Sequence, residues 1–373
     1  MKRHDSVGSS VPHAGFSRRQ LLRTGVGAAG ALALAACGTG GSSTGAAAAH
    51  AAGTGNINVL GWGNYQVPAL DTPGITTKWT ELILTSELYT KTAQPGTFDI
   101  VNPSVMNVGT MVELNRVQPI DRSRVPNLAN TIESFSGAKG LLGPDGNLYA
   151  LPFQYYFSYS VWNNKQTTQP RTFEDLMRPE LKGKLGLLDD SFTLVVIGML
   201  AGFNTGNFTE QQLEQIKGML ERLKPQVGSV YPFGGSVNLL ARGEITMTIH
   251  SLADEIKLVR EAGVDAGWAY FGSYGGLDTL ALAKGAPNAD AAYTYLDHML
   301  SAPAQVGLSN TVFEVPVVKG VQDQITTDIK SLGTLDEMLQ RAPVLSSIPA
   351  KGSNGMVGFA EWAEVWDAYR ASF

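Results

Sequence analysis

The chain has a single cysteine, Cys37, in 373 residues, so no intramolecular disulfide can form. Histidine is also scarce: of five, only His250 and His298 lie beyond residue 55, and neither sits at metal-ligand spacing from a Cys, His or carboxylate. No metal, cofactor or catalytic residue is therefore expected. Positive charge is in the minority, with 28 Lys and Arg against 33 Asp and Glu. An acidic surface repels phosphate, which argues against nucleic acid as a partner. Also missing is a run of about 20 strongly apolar residues, the length a membrane-spanning helix needs. The apolar stretch Gly25 to Ala36 is too short and is built mainly of Gly and Ala. No internal repeat stands out in the region after it.

That stretch belongs to a targeting segment over residues 1–37. Ser17-Arg18-Arg19-Gln20-Leu21-Leu22 has the form of a twin-arginine export element, and Leu34-Ala35-Ala36-Cys37 resembles the lipobox of bacterial lipoproteins. Cys37 is thus the expected lipidation site, and the product an exported lipoprotein held to the membrane at the cell surface or in the periplasm. Residues 38–55 are almost entirely Gly, Ser, Thr and Ala and read as a flexible tether. The leader carries Lys2, Arg3, Arg18, Arg19 and Arg23 against Asp5, so the mature part is more acidic than the formal −5 of the whole chain. The remaining chain, from Asn56 onward, exceeds what one hydrophobic core usually serves, which predicts two lobes.

Along this mature part strands alternate with helices. Ile57-Asn58-Val59-Leu60 and Phe98-Asp99-Ile100-Val101 read as strands ending in Gly, Asn, Pro and Ser loops, with a helix from Val108 to Leu114. Asn147 to Pro152 and the aromatic run Phe153 to Trp162 are strand-like. Thr172-Phe173-Glu174-Asp175-Leu176 has the signature of a capped helix start. Leu185 to Leu188 is a buried strand ending at Asp189-Asp190, and Glu210 to Leu223 an amphipathic helix capped by Thr209. Gly243 to Ile249 and Asp278 to Leu282 read as strands; Leu252 to Ala262, Asn288 to Leu300 and Phe359 to Tyr369 read as helices. The pattern predicts an α/β fold of open sheets with helices on both faces and ligands at the carboxyl edges.

Two motifs match by composition alone. Gly25-Val26-Gly27-Ala28-Ala29-Gly30 fits GxGxxG but lies in the leader with no preceding strand, and Gly41-Ser42-Ser43-Thr44-Gly45 fits GxSxG inside the tether. The pair Tyr155-Tyr156 lies in an alternating strand, where neighbours point to opposite faces, so one should pack in the core and the other line a cleft. Tyr155 is the one assigned to the ligand.

The order of segments from Asn56 onward resembles the spermidine/putrescine-binding branch of the periplasmic binding proteins. The markers are Gly61-Trp62-Gly63-Asn64-Tyr65, Phe98-Asp99-Ile100-Val101 with Pro103-Ser104, Tyr149-Ala150-Leu151-Pro152, and Thr172 to Leu176 with Pro179-Glu180-Leu181-Lys182-Gly183-Lys184. Asp189-Asp190, Gly243-Glu244-Ile245 and Leu277-Asp278-Thr279-Leu280-Ala281 complete the set. The resemblance implies a two-lobed periplasmic-binding-protein fold of type II with a hinge. One lobe would comprise 56–156 with about 270–315, the other 157–269 with about 316–373, the side of the tail being left open. It also implies a monomer that captures a small organic amine by lobe closure for an ABC importer's permease and ATPase, and does no chemistry on it.

On that alignment Trp62, Tyr65, Ser104, Asp190 and Asp278 are retained ligand positions, and Phe313 stands where the family often has Tyr. Asn64 and Thr193 replace acids, and Ser251 and Gly276 stand where tryptophans would be. These departures leave room for a shorter diamine or an amino acid derivative. Packing is the competing role for Trp62 and Tyr65, and helix capping for Asp190. Asp278 is the strongest candidate, since a carboxylate inside an apolar strand needs a partner. Trp362 and Trp366 are expected in the core. An anion or ferric-ion binder of the same fold would want Arg, backbone amides or a tyrosine pair instead, and a surface hydrolase would want a nucleophile and base, for which no sequence sign exists.

Overall fold

A computed structural model describes residues 53–373, except 204–206, 253–254, 313, 327–332 and 346–347. The expected targeting segment with Cys37, most of the expected tether, and Phe313 lie outside the described residues. Within them the strands are β1 (Gly55–Trp62), β2 (Ile75–Leu82), β3 (Ile100–Val101), β4 (Ala150–Phe157), β5 (Tyr159–Asn163), β6 (Leu185–Leu188), β7 (Val227–Tyr231), β8 (Met247–Ser251), β9 (Ala266–Ala269), β10 (Gly275–Leu282) and β11 (Val315–Pro316). They form two mixed sheets, in the orders β11-β4-β10-β3-β1-β2 and β7-β6-β8-β5-β9. In the first, β1 runs parallel to β2 and β3, while β10 runs antiparallel to β3 and β4. In the second, β6 runs parallel to β7 and β8, while β5 runs antiparallel to β8 and β9.

The strands of the two sheets are joined at residue 158, between β4 and β5, and over 270–274, between β9 and β10. Ser158 ties the two passages together. Its backbone N–H donates to Tyr274 O at 2.9 Å and its Oγ accepts from Tyr274 N at 3.0 Å, so the crossing segments are zipped at one buried point. The stretch about 316–373, grouped with the second lobe on sequence grounds, divides between the two. Leu345 donates to Gly275 O and Ile348 to Met106 O, which binds this part to the first sheet. The final helix, Phe359–Arg370, packs instead beside the second sheet, where Trp362 stacks on Phe208 at 5.0 Å and meets Phe192 edge-on.

Local chemistry explains the elements. The helix Glu210–Leu223 starts in a capping box of Thr209 and Gln212 and turns Leu213, Ile216, Leu220 and Leu223 inward. Phe173–Met177 forms only a 3-10 turn after its capping box, because Pro179 forces Arg178 into extended backbone and stops the helix. Every residue of β10 is buried, as a central strand covered on both faces requires. Its register against β4 shifts between Asp278 and Thr279, and this irregularity lies beside the cleft described next.

Candidate functional site

A cleft with about 690 Å³ of empty volume, part of it open to solvent, lies where the carboxyl ends of the parallel strands of both sheets meet. The position is where open α/β sheets bind their ligands, since loops there are free to vary above a fixed scaffold. The first sheet contributes Trp62 and Asn64 after β1, Ile83 and Thr85 after β2, Ser104 and Asn107 after β3, Tyr156 on β4, and Asp278 on β10. Glu314, beside β11, completes that side. From the second sheet come Leu188, Asp189, Asp190 and Phe192 after β6, Phe233 after β7 and Leu252 after β8, while Tyr274 of the crossing segment stands between. No lysine or arginine is among the described lining residues.

The acids differ in their surroundings. Asp189 is already matched: Arg370 lies 3.1 Å from its Oδ2, and Trp366 Nε1 donates to its Oδ1 at 3.0 Å. Asp190, half-buried, accepts Phe192 N–H at 2.8 Å and the Thr85 hydroxyl at 2.9 Å. The first contact caps the turn into the helix Thr193–Leu200, and the second reaches across the cleft from the loop after β2. Burial nevertheless pushes its carboxyl up to about 6. Asp278 is buried, and desolvation pushes it up to about 7 against the opposing pull of the Tyr65 hydroxyl.

The Tyr65 hydroxyl lies between two carboxyls, 2.6 Å from Asp278 Oδ2 and 2.5 Å from Glu314 Oε2. Asn64 Nδ2 donates to the other Glu314 oxygen at 3.3 Å. Burial, and then the two acids, hold the Tyr65 phenol protonated. Its ring sits beneath the cleft, edge-on to Phe153 at 5.0 Å. Tyr65 thus both packs the loop and supports the acids, and Trp62 is one of the walls.

The structure brings Trp62, Asn64, Ser104, Asp190 and Asp278 together around the cleft, with Tyr65 directly behind them. Other sequence-assigned positions lie elsewhere. Tyr155 faces the core, against Phe135, and donates its hydroxyl to Ala342 O at 2.7 Å. Tyr156 is the cleft-facing member of the pair, in contact with Ser104 Oγ at 3.0 Å. Alternation required opposite faces, but which face was the cleft depended on the sheet's partners. Thr193 is fully buried and donates to Leu188 O at 2.9 Å, and Ser251 is fully buried at the end of β8, so neither lines the cleft. Gly276 lies against the Tyr156 ring, which occupies the space a side chain there would fill. Glu314 was missed: nothing in Phe313-Glu314-Val315 distinguishes it from a surface acid until the fold brings it to Tyr65.

Beneath the second wall runs a buried chain from Thr193 to His250 to Tyr274. The Thr193 hydroxyl is spent on Leu188 O, so His250 Nδ1–H donates to it at 2.9 Å and Nε2 accepts from the Tyr274 hydroxyl at 3.0 Å. This network assigns the tautomer. Burial keeps the imidazole neutral, down to about 3, and its role is to hold Tyr274 at the cleft.

Residues 43–335 match the family profile of the bacterial extracellular solute-binding proteins. The spermidine/putrescine-binding periplasmic protein of Escherichia coli K12 is 25% identical over 236 residues, 60% of this chain and 64% of that protein, so the match spans less than two thirds of the relative's length. Among solved structures, a proposed spermidine/putrescine ABC transporter protein of Listeria monocytogenes superposes with a TM-score of 0.73 at 22% identity, over 85% of this chain and 99% of that one. A lipoprotein of Treponema pallidum gives 0.69 at 18%, over 85% and 100%. These likenesses establish the type II periplasmic-binding fold for the two sheets described above. The sequence profile, covering most of the chain, establishes more: the protein belongs to the bacterial extracellular solute-binding proteins.

Proposed function

We propose that this protein is an exported, lipid-anchored binding protein that closes two lobes over a small organic amine and presents it to the permease and ATPase of an ABC importer. The charge of the cleft carries the reading. Asp190 stands on one wall, Asp278 and Glu314 on the other, aromatic rings lie between, and no basic side chain is among the described lining residues. A buried ammonium needs a carboxylate partner and lies favourably over an aromatic face. Relatives named for spermidine and putrescine support the same ligand class. Tyr156, lying over Gly276, narrows the space on that side, which favours a compact amine such as a short diamine or an amino acid derivative. The Ser158–Tyr274 crossing is the natural hinge, because there the two segments that join strands of one sheet to strands of the other lie hydrogen-bonded side by side.

A thermal-shift panel of putrescine, cadaverine, spermidine, amino acids, sugars and sulfate tests this, since a ligand that binds only the folded state raises its Tm. Amines should produce the largest shifts. Shifts confined to sugars or anions would reject the reading. Small-angle scattering with the best amine should record a smaller radius of gyration, and an unchanged radius at saturation would reject lobe closure.

A further inference from the structure

We propose that Tyr65, Asp278 and Glu314 form a proton-exchanging end of the cleft, in which two carboxyls share one proton across the tyrosine hydroxyl until the cationic group of the ligand displaces it. This deepens the amine reading and rests on it. The hydroxyl and its two neighbours are one hydrogen short. Two oxygen–oxygen contacts of 2.6 and 2.5 Å flank a single hydroxyl, and each needs a hydrogen between its atoms. Tyrosine supplies one, so a carboxyl must carry the second. Two carboxylates bridged by one buried hydroxyl without that proton would repel each other, as in any site where like charges share a small volume.

Among the described residues that line the cleft, none is a lysine or arginine. From the turn after β1 come Asn64 and Tyr65; from β4, Tyr156; from the crossing segment, Tyr274; and across the cleft stands Asp190, whose negative charge adds to the repulsion. Burial holds the three tyrosines protonated. The upward displacement of Asp278 to about 7 agrees with a retained proton. On binding, an ammonium enters, the second carboxyl ionises, and its proton leaves to solvent. The pair passes from one net negative charge to two, one of them balanced by the ligand. Binding is then competitive with protons: affinity rises about tenfold per pH unit below the titration of the pair and levels off above it.

The test is calorimetry of putrescine, or of whichever panel amine binds best, into the purified protein in two buffers of different ionisation enthalpy. Release of close to one proton is expected at about pH 6, falling towards zero by about pH 8.5. Glu314→Gln should cut the release at the lower pH to less than half, because the glutamine amide can donate to the Tyr65 oxygen without a shared proton. A purely structural role for Glu314 would lower affinity and leave the proton count unchanged. The wild-type measurement stands even if that variant folds poorly. Amine binding with no buffer dependence at either pH would overturn this inference while leaving the amine reading intact, and failure of every amine to bind would overturn both.

Discussion

Replacing Asp278 with Asn separates the needs of the ligand from the needs of the fold. Asparagine keeps the size of the side chain, and its amide can donate to the Tyr65 oxygen while Tyr65 donates to Glu314, so the hydrogen bonds on both sides of the hydroxyl survive. What disappears is a charge on the wall that is proposed to receive an ammonium. Truncating one side of a desolvated charge pair typically costs about 2 to 5 kcal/mol, a rise in Kd of roughly thirtyfold to several thousandfold. Stability should move the opposite way. Burial pushes the Asp278 carboxyl up to about 7 in the fold, well above its ordinary value, so between those two pH values the native state holds more protons than the unfolded one and stability falls as pH rises through that window. Above it the ionised buried acid is a net cost, at most on the order of 4 kcal/mol if the whole displacement is counted. The variant should therefore bind amine far more weakly at about pH 8 and melt at the same or a higher temperature. Calorimetry and thermal denaturation at that pH decide it. Wild-type affinity would refute the role of this carboxylate, and a marked loss of Tm would mean that Asp278 serves the fold instead.

Asp190→Asn should weaken amine binding less than Asp278→Asn, since Asn still caps the turn at Phe192 and still meets Thr85; equal or greater loss in calorimetry would make Asp190 the dominant cation partner. Gly276→Ala should displace the Tyr156 ring, lowering Tm and costing amine affinity about tenfold, an overpacking effect at the cleft wall; an unaltered Kd would count against Tyr156 as a wall. His250 is neutral in the fold to about 3, far below its value in an unfolded chain, so the unfolded state gains protons first and this residue lowers stability as pH falls below about 6.5. His250→Asn should flatten that slope in Tm against pH, and an unchanged slope would remove His250 from the explanation. Cys37→Ser should release the protein from the membrane fraction with amine affinity intact, and retention in that fraction would refute the lipid anchor.

Much of the architecture is legible in the sequence because local periodicity encodes it. Leu185–Leu188 and Glu210–Leu223 can be bounded from apolar runs and caps, and they occupy those spans in the fold. Two of the elements left unassigned have patterns that conflict with their burial. The edge strand Ile75–Leu82 is largely exposed and polar, and the helix Thr193–Leu200 is apolar on all sides and has no periodic stripe to detect. The loops after the strands, with their aromatic and acidic residues, marked the cleft because chain order alone puts parallel-strand ends on one edge.

The amino-acid sequence by itself determined an α/β chain with its ligand candidates at strand ends and a strand carboxylate, Asp278, in need of a partner. Tertiary structure alone decided which partners the acids have. Glu314 reaches Tyr65 across 249 residues, Arg370 takes Asp189 out of contention across 181, and sheet pairing turns Tyr156 rather than Tyr155 towards the cleft. Helical and strand periods fix which residues share a face, but charge neutralisation and desolvation act through space, and only the folded chain sets those distances.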